Sequence, residues 1–159
     1  MQKIIPHLWF DKEARQAAGF YTSVFDKAKI NSVRTIHDTP SGDAESVHFQ
    51  ITGYEFMAIS AGPYFQLNPS ISFHARTRTI EEADRLWSKL SPGGKIMMAL
   101  GEYPFSRRYG WVQDKFGVSW QIIPENMAEL MAKNPEKTTP VMLGMKKIII
   151  ADMVKAGKT

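Results

Sequence analysis

Few side chains in this sequence are of types that support acid–base or metal chemistry, and His7 is the first candidate among them. It lies in the apolar stretch Ile4–Phe10, and an imidazole can act as a general acid, a general base or a metal ligand. The sequence has no cysteine, which excludes disulfides, thiolate metal sites and cysteine nucleophiles. His37 and His48 show no partner at ligand spacing, so we expect them at the surface or in strands. No His-Glu-x-x-His, Gly-x-Ser-x-Gly or phosphate-loop motif occurs.

The net positive charge of the chain is confined to its C-terminal end. Residues 133–159 carry a balance of +4, which equals the formal net charge of the whole sequence, so the remainder is neutral. Neutralising phosphates takes clustered Lys and Arg, interleaved with aromatic residues for single strands, and residues 133–159 contain no aromatic residue. We therefore expect no nucleic-acid partner. The longest apolar run, Ile96–Leu100, is far too short to span a membrane, and no targeting segment is visible, which predicts a cytoplasmic protein without a membrane partner.

The first half of the chain predicts a strand, a helix and three further strands. Ile4–Phe10 is typical of a strand, and Asp11 is in place to cap the following helix. That helix has an apolar face formed by Ala14, Ala17, Ala18, Tyr21 and Phe25. Strands are predicted at residues 29–37, 44–52 and 54–60.

The second half predicts the same order of elements. A strand at residues 71–76 precedes Thr79 and Glu82, which form a capping box at the start of a helix. The apolar face of this helix comprises Ala83, Leu86, Trp87 and Leu90, and residues 92–94 (Pro-Gly-Gly) end it. Strands are expected around residues 95–100, 107–114 and 117–123.

Two local matches indicate an internal repeat. Residues 17–24 match residues 83–90 at an offset of 66, and residues 53–59 match residues 117–123 at an offset of 64. One such unit alone would leave an apolar sheet face uncovered, and pairing two units would enclose a cup between them. The sequence therefore predicts an α+β fold of two paired βαβββ modules with a ligand cavity.

Several short stretches together carry a family resemblance. They are residues 6–11 (PHLWFD), 18–21 (AGFY), 62–65 (GPYF), 110–114 (GWVQD), 116–122 (FGVSWQI) and 141–148 (VMLGMKKI). With these stretches the sequence resembles the PhnB-like branch of the vicinal oxygen chelate superfamily, which includes glyoxalase I and bleomycin-resistance proteins. The resemblance implies the glyoxalase/bleomycin resistance/dioxygenase-like fold, a small-molecule cavity and a homodimer. Some relatives in that branch have been labelled demethylubiquinone methyltransferases, but no Gly-x-Gly stretch follows a strand here to open a nucleotide-binding helix.

The same resemblance implies where a metal would bind. Metal-dependent members of the superfamily place four His or Glu ligands on symmetry-related strands of the cup. The repeat carries these positions onto His7, Met57, Gln121 and the segment Ile71–Phe73. A thioether is a poor ligand for Zn, Mn, Ni or Fe, a neutral carboxamide is a weak one, and Ile and Phe cannot coordinate a metal. His74 would complete a site only if its strand slipped in register. We therefore predict no metal and no other cofactor.

Five residues are predicted to bind the ligand in the cup, beside the catalytic candidate His7: Trp9, Met57, Phe65, Trp111 and Gln121. Trp9, Met57 and Trp111 would supply apolar walls, and Phe65 follows Gly62 on a loop that would gate the opening or pack beside it. His7 and Gln121 would meet in the cup and satisfy each other by hydrogen bonding. The structural alternative is ordinary core for the apolar residues and a buried, hydrogen-bonded imidazole for His7.

Together, these patterns and the resemblance predict the following domain organisation and function. Residues 1–125 form a single domain of two modules, at about 1–62 and 69–125, and residues 126–159 form an apolar, Met-rich extension that docks on the body or on a dimer partner. The predicted function is metal-independent binding of a small, partly apolar molecule, with His7 as the candidate catalytic residue if a reaction occurs. The alternative is a metal-dependent lyase or dioxygenase of the glyoxalase type that uses His7, His74 and Gln121.

Overall fold

A computed structural model describes residues 1–125 of the chain. Two successive βαβββ modules make up this part. The elements of the first are β1 (His7–Phe10), α1 (Ala14–Val24), β2 (Lys29–Thr39), β3 (Gly42–Ile51) and β4 (Tyr54–Ser60). Those of the second are β5 (Phe73–Thr77), α2 (Ile80–Leu90), β6 (Lys95–Tyr103), β7 (Ser106–Gln113) and β8 (Ser119–Pro124). The predicted α+β fold of two βαβββ modules is confirmed.

The two modules have the same sheet topology. The first sheet has the strand order β1-β4-β3-β2, and the second has the order β5-β8-β7-β6. In each sheet the strand before the helix pairs in parallel with the last strand of its module, and the other pairs are antiparallel. The parallel partners are not connected directly: the chain passes through the helix and two antiparallel strands before the last strand returns beside the first. The repeat seen in the sequence is therefore a repeat of strand order and register.

Helix α1 covers one face of the first sheet. Alternation along β1 buries Leu8 and Phe10, whereas His7 and Trp9 point to the opposite face. The ring of Tyr21 in α1 stacks on Phe49 of β3 with centroids 6.3 Å apart, which joins helix and sheet in one apolar core.

The predicted cap of α1 at Asp11 is wrong. The N-cap residue is Glu13, whose side chain makes no capping hydrogen bond. The Ala14 N–H donates instead to Ser60 Oγ at the end of β4, at 2.9 Å. The parallel pairing of β1 with β4 brings Ser60 next to Phe10, so the acceptor is supplied across the sheet and not by the preceding chain.

Helix α2 starts as the sequence predicts. Thr79 is the N-cap, and its Oγ1 accepts the N–H of Glu82 at 3.1 Å. The Glu82 carboxylate accepts a backbone N–H in return, although from Arg78 (2.8 Å) and not from Thr79. The helix ends at Leu90, ahead of the predicted Pro-Gly-Gly stop. On the sheet below, the ring of Trp87 lies against Gly110, so the helix sits on the Gly110 side of β7.

The boundaries predicted for several strands differ from those observed. The strand expected at 71–76 begins only at Phe73, and Ile71 is 73% exposed. Met1–Pro69 and Phe116–Val118 form one compact unit, and Ser70–Lys115 with residues 119–125 form the other. The predicted C-terminal extension, residues 126–159, lies outside the described residues.

Within residues 1–125, neither helix has the length and apolar character needed to cross a membrane.

Candidate functional site

The candidate site begins with the face of the first sheet that points away from α1, which we call the first open face. Strand register arranges its side chains in rows across β1, β4, β3 and β2. One row comprises His7, Met57, His48 and Ser32, and the next comprises Trp9, Ile59, Ser46 and Arg34. Neighbouring strands lie about 4.8 Å apart, so members of a row can contact each other. The predicted site residues His7, Trp9 and Met57 therefore share one face.

His7 is exposed in its module, so the expectation of a buried, hydrogen-bonded imidazole is wrong. It lies at the start of β1, directly beside Met57 of β4. Position, not burial, is what the sequence analysis identified correctly: His7 stands at one end of a row that also contains Met57. An exposed imidazole beside a thioether is free to meet a ligand.

Trp9 fixes the loop that follows β4. Its indole Nε1 donates to the carbonyl of Gly62 at 2.8 Å, and its ring meets that of Phe65 edge to face at a centroid distance of 5.0 Å. Phe65 nevertheless remains 64% exposed and Tyr64 60% exposed. The loop thus presents aromatic surface next to the first open face, which is consistent with the predicted ligand-contacting role of Phe65.

His48 is a residue of this face that sequence reasoning missed. It pairs with Met57 on the side opposite His7, so the thioether lies between two imidazoles. Its Nε2 is buried and has no hydrogen-bond partner among residues 1–125, and Glu55 Oε2 lies 4.0 Å from it. The tight turn at Gly53 could have identified His48 from the sequence. Ile51 pairs with Tyr54 across this turn, and counting outward from that pair places His48 opposite Met57.

The second open face is the side of the second sheet that points away from α2, and Gln121 lies at its centre. Gln121 pairs with His74 of β5 on one side and with Trp111 of β7 on the other. His74 pairs with Gln121 as His7 pairs with Met57. In each module the first residue of the pair lies on the strand before the helix, the second lies on the last strand, and the two strands are parallel. The expected assignment of this position to Ile71–Phe73 is therefore wrong: β5 starts later than predicted, and His74 occupies the position without any slip in register.

The side chain of Gln121 forms its hydrogen bonds inside its own module. Tyr109 Oη donates to Gln121 Oε1 at 2.8 Å, and Gln121 Nε2 donates to Ser72 Oγ at 2.8 Å. The partners of this amide in the second module are therefore Tyr109 and Ser72, and the predicted contact between His7 and Gln121 stays a prediction. The carbonyl oxygen, the one atom of Gln121 that could bind a cation, is thus engaged by a donor.

An aromatic cluster surrounds this hydrogen bond. Tyr109 and Phe105 are buried, with ring centroids 5.2 Å apart, and Trp111 packs against them while donating from Nε1 to Ser119 Oγ at 2.7 Å. Burial raises the pKa of Tyr109 far above its ordinary value, and the neighbouring Tyr103 raises it further. The Tyr109 phenol is therefore neutral at any physiological pH and remains a donor to Gln121.

The donors at the four superfamily metal positions do not suit a divalent ion. They are two imidazoles (His7 and His74), the thioether of Met57 and the carboxamide of Gln121, whose oxygen already accepts a hydrogen bond. Zn, Mn, Ni and Fe sites are built from imidazole, carboxylate and thiolate, so two of the four donors are poor. Burial, and secondarily Arg76, lowers the pKa of His74. Across residues 1–125 there is no group of three or more His, Asp or Glu side chains arranged to hold a metal ion.

Comparisons with known proteins agree with this architecture. The family model described as 3-demethylubiquinone-9 3-methyltransferase matches residues 2–123. The PhnB protein of Bacillus cereus, described as a putative member of that family, is 38% identical over 77% of this chain and 99% of its own, with a TM-score of 0.71. A Pseudomonas aeruginosa protein is 25% identical over 79% of this chain and 98% of its own, with a TM-score of 0.67.

More distant solved structures share the fold alone. The fosfomycin resistance protein FosX of Listeria monocytogenes, solved with Mn(II) and a dihydroxypropylphosphonic acid, is 13% identical over 77% of this chain and 93% of its own, with a TM-score of 0.52. No curated protein matches the sequence. The two βαβββ modules of this chain share the fold of a glyoxalase/bleomycin resistance/dioxygenase domain. The family match over residues 2–123 shows that the chain belongs to the PhnB-like family described as 3-demethylubiquinone-9 3-methyltransferase.

Proposed function

We propose that this protein binds a small, partly apolar molecule without the help of a divalent metal. The residues we propose to contact it are Trp9, Met57 and Phe65 of the first module and Trp111 and Gln121 of the second. Trp9 and Met57 are only partly buried, and Phe65 is mostly exposed, so apolar surface is available on the first open face. Burying such surface against an apolar ligand is favourable in water.

One observation supports metal independence above all others: the hydrogen bond from Tyr109 to Gln121 Oε1. Coordination by Gln121 would have to compete with a 2.8 Å hydrogen bond from a buried donor. The equivalent position in the first module, Met57, offers only a thioether. Two of the four positions therefore hold donors that are poor ligands for a divalent ion.

His7 is the residue we propose for acid–base chemistry, should the ligand be transformed. Its imidazole is exposed and adjoins Met57, so a ligand on the first open face would lie within its reach. Nothing in the sequence or in the described sheets argues for methyl transfer, in spite of the description that the family carries.

The metal-dependent alternative rests on one specific observation. His7 and His74 occupy equivalent positions in the two modules, each beside the residue that represents the second ligand position of its module. Metal sites of the glyoxalase type use ligands at symmetry-related positions, so two imidazoles at equivalent positions favour a lyase or dioxygenase of that type. In that alternative, His7, His74 and Gln121 would hold the ion.

A homodimer and a cytoplasmic location complete the proposal. Superfamily members often form dimers, and the apolar stretch of residues 141–154 is the segment that we propose to dock on the body or on a second copy. Light scattering coupled to size exclusion, on the full chain and on a chain ending at residue 125, tests the dimer.

Binding of a neutral apolar probe tests the proposed function. N-phenylnaphthylamine fluoresces when it enters apolar surroundings, and we expect the full-length protein to bind it saturably, with and without EDTA. Trp9→Ala and Met57→Ala should each weaken binding several-fold, because each removes apolar contact area of the first open face. Ile80→Ala, an exposed apolar residue of α2, is the matched control and should leave binding unchanged. Binding that vanishes in EDTA, or that ignores both variants of the open face, would contradict the proposal.

A further inference from the structure

We propose that the β2–β3 part of the first open face binds an oxyanion headgroup, so that the ligand is an organic acid with an apolar body. This inference rests on the proposed function and names the class of ligand. Its basis is a two-by-two array of polar side chains, the oxyanion array, that Ser32, Arg34, Ser46 and His48 form.

Strand register brings these four residues together. Ser32 of β2 lies opposite His48 of β3, and Arg34 lies opposite Ser46. Residues directly opposite on antiparallel strands have Cβ atoms about 5 Å apart, and residues two apart along a strand are about 7 Å apart. A guanidinium, an imidazole and two hydroxyls therefore border one small area, and all four groups can donate hydrogen bonds.

A β-bulge creates the array. Ile30 pairs with Phe49 on the buried face, but the next pair is Ser32 with His48, so Asn31 is an extra residue in β2. Without that extra residue, Ser32 and Arg34 would point to the face that α1 covers, since side chains alternate. Bulges commonly re-aim side chains beside binding sites. Here the bulge turns one cation and one hydroxyl toward His48.

The donors of the array are not used within the described part of the chain. His48 Nε2 is a buried nitrogen with no hydrogen-bond partner, an arrangement that costs free energy unless a partner arrives. No hydrogen bond or ion pair within residues 1–125 engages the side chains of Ser32, Arg34 or Ser46. A carboxylate or phosphate group placed here would accept from several of them at once, and Arg favours planar, two-point contacts with such groups.

The surrounding charges favour an anion at the Arg34 end of the array. Glu55 Oε2 lies 4.0 Å from His48 Nε2, in the neighbouring row, and is the carboxylate that faces the array. Glu45 alternates to the helix-covered face, where Arg15 of α1 lies 4.0 Å from it. Among residues 1–125, Arg34 forms no ion pair with a carboxylate, whereas His48 has Glu55 nearby.

The rows also supply the site for the rest of the ligand. The Arg34–Ser46 pair continues across the sheet to Ile59 and Trp9, and the Ser32–His48 pair continues to Met57. Three strand spacings separate Arg34 from Trp9, about 14 Å. A molecule with an anionic end and an apolar body of several carbons would lie along these rows, its acid group on β2–β3 and its body on β4–β1.

A matched pair of probes tests the inference separately from the proposed function. Anilinonaphthalene sulfonate and N-phenylnaphthylamine share one aromatic body, but only the first carries an oxyanion. We expect the sulfonate to bind the full-length protein about tenfold more tightly, the size of one charge-assisted contact at a partly exposed site. Arg34→Gln should weaken sulfonate binding by a similar factor, Ser46→Ala should weaken it less, and neither should change binding of the neutral probe.

Controls separate this array from general charge effects. Arg15→Gln removes the same charge from the helix-covered side of the module and should leave both probes unaffected. Octanoate and octyl phosphate should displace the sulfonate at lower concentration than octanol does. Stronger competition by octanoate indicates a carboxylate ligand, and stronger competition by octyl phosphate indicates a phosphate ligand. Equal affinities of the two probes, or equal effects of Arg34→Gln and Arg15→Gln, would overturn the oxyanion inference and leave the proposed function standing. Failure of both probes to bind would overturn the proposed function itself.

Discussion

Tyr109 Oη donates a 2.8 Å hydrogen bond to Gln121 Oε1, and the two residues lie on neighbouring strands of the second open face. Because burial keeps the phenol neutral, this donor is present across the physiological pH range. The bond fixes the orientation of the Gln121 amide, whose Nε2 then donates to Ser72. Gln121 is thereby a structural residue of its module as well as a candidate ligand contact.

Removing this hydrogen bond should destabilise the protein measurably. Tyr109→Phe leaves Gln121 Oε1 without its donor among buried aromatic rings, and we expect a loss of about 1–3 kcal/mol in the free energy of unfolding. Urea titration followed by tryptophan fluorescence measures it. Tyr103→Phe is the control, because Tyr103 Oη bonds the Ala99 carbonyl at an exposed site where water can replace it. Equal losses in the two variants would contradict the role given to the Tyr109 bond.

The start of α1 offers a second test, of the cap that the sequence did not predict. Ser60→Ala removes the acceptor of the Ala14 N–H and should cost about 1 kcal/mol, as loss of a helix cap does. Asp11→Ala should change stability by no more than about 0.5 kcal/mol, the usual range for surface substitutions. Chemical denaturation of both variants gives the comparison. A larger loss for the Asp11 variant would restore the original cap assignment.

Gly110 is required by the packing of α2 on its sheet. A Cβ at this position would lie 2.6 Å from Trp87 Cζ3 and 3.2 Å from the Leu100 Cα, so the ring or the strand would have to move. We expect Gly110→Ala to destabilise the protein by about 1–3 kcal/mol through overpacking, seen as a lower Tm. At Gly101 of β6 the closest atom would be 3.9 Å from the new Cβ, so Gly101→Ala is the matched control. An unchanged Tm for Gly110→Ala would show that Trp87 does not pack as described.

The stability of the protein should fall as the solution becomes acidic, in part through His74. Burial and Arg76 lower the pKa of this imidazole in the folded state, so the unfolded chain binds the proton more readily. The free energy of unfolding therefore decreases as pH drops below the ordinary histidine pKa of about 6.5. Urea titrations at mildly alkaline and mildly acidic pH should show a smaller decrease in His74→Gln than in the wild type. An identical decrease would refute this contribution.

Helix and strand order were predictable because hydrophobic spacing and an internal repeat both encode them. The capping box at Thr79 and the alternation in β1 are local patterns, and the structure follows them. The cap of α1 is not local, since its acceptor, Ser60, comes from a strand 46 residues further along the chain. Asp11 is the nearest residue before the helix of a type that commonly caps helices, so a local pattern predicts Asp11 as the cap.

The side of the sheet to which a residue points could be predicted by counting along one strand. The pairing register between neighbouring strands could not be predicted in that way. Counting along β1 places His7 and Trp9 on one face, and the internal repeat gives Met57 as the equivalent of Gln121. His74 was assigned out of register because the start of β5 could not be located, and one residue changes the face. Ser32 and Arg34 escaped notice because the bulge at Asn31 reverses the alternation in β2.

Metal binding by the wild-type protein is the most direct test of the central claim, that the protein binds its ligand without a divalent ion. The full-length protein should be purified with Mn(II), Ni(II) or Zn(II) supplied, dialysed, and analysed for metal by mass spectrometry beside a His7→Gln variant. We expect far less than one equivalent of metal per chain, equal in the two proteins. One equivalent in the wild type that is lost in His7→Gln would contradict the account and favour the metal-dependent lyase or dioxygenase.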